Sequence, residues 1–88
     1  MSSKTPIRTR TVSIIYNGDS GEFPYAAHQP VRALLKHALG AFHITANRHL
    51  MSLYDADGTE LLDESTLEKA GVKAGDELIL RQSVVKGG

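Results

Sequence analysis

The chain has 88 residues, 41% of them hydrophobic, with ten basic and ten acidic side chains that cancel. This is enough apolar material for one small domain and too much for a disordered chain, and the balanced charge does not point to nucleic acid or a membrane as partner. With no cysteine, disulfides, thiolate metal sites and a thiol nucleophile are excluded together.

Charge is unevenly placed. Lys4, Arg8 and Arg10 give +3 over the first eleven residues, whereas residues 55–77 carry eight acids against Lys69 and Lys73, a net −6. Such an acidic stretch can steer a basic partner, and it is equally the composition of a solvated loop surface. No run approaches the length of apolar sequence that a transmembrane helix needs. Residues 1–10 are polar, contain Pro6 and lack the apolar core of a secretory signal. They are expected to form a flexible basic arm on a cytoplasmic protein.

In chain order, Thr11 to Tyr16 alternates β-formers, with Val12, Ile14 and Tyr16 on one face. Asn17 to Gly21 is a turn cluster. Glu22 to Ala26 resumes an extended run in which Pro24 cannot donate a ladder hydrogen bond, so this second strand belongs at a sheet edge. A helix follows, with Pro30 in its first turn and Val31, Leu34, Leu35, Ala38, Leu39 and Phe42 on one stripe. It ends near Phe42. His49 to Tyr54 reads as a third strand whose register the pattern leaves open. Asp57-Gly58 is a hairpin turn signal, and Glu60-Leu61-Leu62 returns as a short strand. Glu64 to Ala70 forms one helical turn closed by Gly71, and Glu77 to Arg81 is a last, nearly all-apolar strand expected at the sheet centre. The fold class is therefore α+β, a mixed sheet packed on one main helix. Val12, Ile14, Leu61, Leu67, Val72, Leu78 and Leu80 are expected to meet the helix stripe in the core. The domain should occupy residues 11–82, with a flexible tail over 83–88.

The stretch from Asp57 through Leu61, Thr66-Leu67, Gly71-Val72 and Gly75 to Arg81, followed by Gly87-Gly88, resembles the C-terminal half of ubiquitin-like proteins. With the hairpin and helix, the resemblance covers residues 11–88 and implies the ubiquitin-like β-grasp. The loop from Asp55 to Thr59 and the tail after Leu80 are longer than in ubiquitin itself, which suggests a divergent member of bacterial kind. The resemblance implies a protein modifier. An activating enzyme would adenylate the Gly88 carboxylate with ATP, a thiol would take the acyl group, and a target amine would receive it. Gly87 and Gly88 would thread a narrow channel because they lack Cβ. The chain itself would be no enzyme and hold no cofactor. Its implied partners are an activating enzyme, a conjugating enzyme, an isopeptidase and a target protein, and the free chain would be a monomer.

If Leu78 and Leu80 point inward, Ile79 and Arg81 point outward, at positions that match the family's docking patch. Leu53 is expected to join them from the third strand. His28, His37, His43 and His49 show no zinc-ligand arrangement, and Gly18-x-x-Gly21 lies in a hairpin rather than a phosphate loop. Two further readings stay open. One is a sulfur carrier bearing a C-terminal thiocarboxylate, and the other is a non-covalent ubiquitin-like subunit of a larger enzyme.

Overall fold

A computed structural model describes residues 10–87. The expected arm, Arg10 excepted, and Gly88 lie outside the described residues. The chain forms strands β1 (Arg10–Tyr16) and β2 (Asp19–Tyr25), helix α1 (Val31–Ala41), a 3-10 turn at Arg48–Leu50, strands β3 (Met51–Tyr54) and β4 (Glu77–Gln82), and a helical turn α2 (Val84–Gly87).

β1 and β2 pair antiparallel with Tyr16 opposite Asp19, so the connecting turn is only Asn17-Gly18. Both turn residues have positive φ, 52° and 89°. This is the hairpin turn whose twist matches that of the strands, and it recruits Asn-Gly because other side chains resist that conformation. Ser20 and Gly21, expected in the turn, belong to β2. The sheet order is β2-β1-β4-β3. Pro24 therefore lies on an edge strand, and β4 is central, parallel to β1 and antiparallel to β3.

α1 packs on one face of the sheet. Its Val31, Leu34, Leu35, Ala38 and Leu39 are buried with Val12, Ile14, Phe23, Leu53, Leu67, Leu78 and Leu80 in a single core. The helix stops because His43 takes a left-handed conformation, φ 58°. The His43 amide then donates to the Gly40 carbonyl at 3.1 Å, and that of Ile44 to the Leu39 carbonyl at 2.9 Å. These are the two bonds of a Schellman cap, and Ile44 enters the core beside Leu39. On β2, Gly21 leaves room for aromatic packing. A Cβ there would lie 3.2 Å from Phe23, whose ring centroid is 5.9 Å from that of Phe42.

Two sequence expectations contract. The short strand at Glu60–Leu62 is a single bridge between Glu60 and Tyr54, because the chain turns away at once, the Ser65 amide donating to the Leu62 carbonyl at 3.0 Å. The helical turn after Glu64 is one α-type turn. The Ala70 amide donates to the Thr66 carbonyl at 2.9 Å, and the Thr66 hydroxyl caps the turn by accepting from the Lys69 amide at 3.1 Å.

Candidate functional site

The strand alternation of β4 turns Leu78 and Leu80 into the core and leaves Ile79 half-buried and Arg81 exposed on the opposite face. Register decides what stands beside them. Tyr54 and Ile15 both lie opposite Ile79, while Leu53 lies opposite Leu80. Residues opposite each other in a ladder share a face. The expectation that Leu53 joins an exposed patch is therefore corrected: Leu53 is fully buried, at 0% exposure. Tyr54 lies on the outer face beside Ile79 but is itself buried, at 5% exposure, beneath Arg81, whose guanidinium carbon sits 4.5 Å from the ring centroid. The outer face thus offers the half-buried Ile15 and Ile79 and the exposed Arg81, whose cation stacks on the covered Tyr54 ring.

β4 leads directly into the tail. Ser83, expected to open a free spacer, is buried at 1% exposure. Its amide donates to the Leu50 carbonyl at 2.7 Å, extending the β3–β4 ladder by one bond. Its hydroxyl donates to Glu60 Oε2 at 2.8 Å, and the Ser52 hydroxyl donates to the same oxygen at 2.6 Å. Ser83 Oγ also accepts from the amides of Val85 and Lys86, at 3.1 and 3.0 Å, and so caps α2. The Ser52 bond, with that from Ser83 and the nearby Lys86 charge, holds the Glu60 carboxyl below the usual carboxylate value against the opposing effect of burial.

Lys86 closes the arrangement. Its ammonium donates to the Met51 carbonyl and to Asp63 Oδ2, each at 2.8 Å. β3 is an edge strand, and along its free edge the Leu53 carbonyl is already taken by the Leu61 amide at 2.8 Å. Lys86 satisfies the next outward carbonyl, at Met51, and so blunts the edge against pairing with another chain. Val84 and Val85 remain outside at 75% exposure each. The tail is thus folded back onto β3 up to Gly87, rather than extended from the domain.

No thiol and no metal-ligating cluster of three or more His, Cys, Asp or Glu appears among the described residues. The four histidines are exposed, and His37 stands edge-on to Phe23 at 5.2 Å. No helix among the described residues is long and apolar enough to cross a membrane. What the arrangement presents is a partly apolar outer sheet face and a tail fastened to β3 through Ser83 and Lys86.

Among solved structures, the chain is similar to ubiquitin of Caldiarchaeum subterraneum at 25% identity, over 91% of this chain and 99% of that one, with a TM-score of 0.73. The fold is the ubiquitin-like β-grasp. The UBL domain of Plasmodium falciparum Dsk2 matches at 22% identity over 85% of this chain and 99% of that one, TM-score 0.71. ATBAG1, in a complex with HSP70, matches at 20% identity over 89% of this chain, TM-score 0.74, and the chain spans 42% of its length. No protein-family model and no curated protein matches the sequence.

Sequence reasoning turned Ile79 and Arg81 outward, which is the orientation they have, and passed over Tyr54 beneath Arg81. It also missed Glu60, Ser83 and Lys86. Their side-chain partners lie 23 to 35 positions away in the chain, apart from Ser52 and the Val85 and Lys86 amides that Ser83 caps.

Proposed function

We propose that this chain is a ubiquitin-like modifier whose acyl donor is the carboxyl of Gly88. The observation that carries the reading is Gly87-Gly88 following the central strand of a ubiquitin-like β-grasp, with Ser83 to Lys86 between them. An activating enzyme would dock on Ile79 and Arg81. The Gly88 carboxylate would attack the α-phosphate of ATP, releasing pyrophosphate and leaving an acyl adenylate. A partner thiolate would then displace AMP to form a thioester, and a target amine would displace the thiol to form an amide. The chain supplies no catalytic group in this scheme. It supplies recognition far from the reacting carbon, which is how remote contacts assist chemistry, and two residues without Cβ that fit a narrow channel. Conjugating enzyme and isopeptidase complete the partner set.

The fastened tail adds a step to that scheme. An extended chain covers about 3.3–3.6 Å per residue, and the reach of the segment after Gln82 is realised only when Lys86 leaves Met51 and Asp63. The test is adenylation, followed by pyrophosphate exchange in extract of the native cell. The wild-type chain should support exchange and Gly88→Phe should not, with an unchanged amide spectrum. Full exchange with Gly88→Phe would remove the proposal.

A further inference from the structure

One side of α1, the 3-10 turn and the tail enclose a groove of about 310 Å³. Its floor is Leu35 and Leu39, core residues at i and i+4 on α1 that keep 5% and 3% exposure. Its rim is basic. Arg32 and Lys36 stand one turn apart on α1, on the same face, and Arg48 and His49 come from the 3-10 turn. The Lys86–Asp63 pair also lines the groove but is internally neutralised. Arg32, Lys36 and Arg48 make no ion pair among the described residues. A chain with no net charge thus gathers three unpaired cations around an apolar floor.

We infer that this groove docks an acidic segment of a partner protein, with a Leu- or Phe-sized side chain seated over Leu35 and Leu39 and carboxylates against Arg32, Lys36 and Arg48. Charge complementarity selects the anionic partner, and the apolar floor, where the effective dielectric is lower than in water, strengthens those pairs. The floor also selects protein over nucleic acid. No Phe, Tyr or Trp lines the groove, so it has no stacking platform for bases. α1 covers the inner face of the sheet, so a partner here leaves Ile79 and Arg81 on the outer face open to a second protein. The inference does not depend on acyl chemistry at Gly88.

The test is an amide-spectrum titration of the isotope-labelled chain with the synthetic peptide Asp-Glu-Asp-Leu-Phe-Asp-Glu-Asp. A control peptide with Ser-Ser at its centre and an oligouridine are titrated in parallel. Saturable shifts should centre on Leu35, Leu39, Arg48 and His49 and weaken as salt is raised. Affinity should fall at least about tenfold for the Ser-Ser peptide, for Arg32→Glu with Lys36→Glu, and for Arg48→Glu, which alters a different wall. All three positions are exposed, and an unchanged sheet spectrum verifies folding in each variant. Absence of saturable binding, equal affinity for the two peptides, tighter binding of oligouridine, or shifts centred on Ile79 and Arg81 would each overturn the inference.

Discussion

At Glu60 a single carboxylate oxygen receives two hydroxyl protons, from Ser52 and Ser83, and these bonds, Ser52 first, hold its carboxyl below the usual value. A group whose folded value is depressed stabilises the fold above its unfolded value and loses that contribution as pH falls through the folded one. Urea unfolding followed from neutral pH to about pH 3 should therefore show a steeper acid loss in the wild type than in Glu60→Gln. At neutral pH the variant should be less stable by about 1 kcal/mol. Identical acid slopes would contradict the role given to Glu60. His43 makes the opposite prediction. It holds the left-handed position of the helix cap at φ 58°, which glycine adopts without the Cβ penalty. His43→Gly should raise the urea midpoint, by about 1 kcal/mol in stability. Neither residue stands out in the sequence: Glu60 reads as one more acid in an acidic stretch, and His43 is not a residue that announces a cap.

Among the elements, α2 is held by two kinds of contact, the Ser83 cap and the Lys86 bonds to Met51 and Asp63. Ser83→Ala removes the cap and one Glu60 donor and should cost about 1 kcal/mol. Lys86→Met keeps the aliphatic stem and removes both charged bonds. Hydrogen exchange should then quicken at Val85 and Lys86 while Leu78 and Leu80 stay protected, and unchanged exchange at Val85 would show that Lys86 does not fasten the tail. On β2, Gly21→Val should destabilise by about 1–3 kcal/mol through overpacking against Phe23, measured by thermal unfolding. The elements themselves were largely legible. The α1 stripe, the alternation of Val12 and Ile14 and the apolar run of β4 are local, periodic signals, and they placed the helix to within a residue and β4 at the sheet centre. β3 was not legible in register. Met51 and Leu53 on one side and Leu50 and Tyr54 on the other are both apolar, so alternation selects no face. Pairing of Leu53 with Leu80 makes that choice, and this is why Leu53 lies in the core and Tyr54 on the outer face, covered by Arg81. The tail was misread for a related reason. Its composition is that of a spacer, and only long-range partners fold it back.

Taken whole, the molecule separates three surfaces. The outer sheet face carries Ile15, Ile79, Tyr54 and Arg81. The basic groove lies beside α1, and the tail, fastened at β3, lines that groove through Lys86. The central claim concerns the chemistry at the end of that tail, and the intact mass of the protein recovered from its native cell tests it most directly. A modifier predicts a population joined through the Gly88 carbonyl to a lysine of another protein. A terminal thiocarboxylate, or only the unmodified mass within a stable complex, would contradict it.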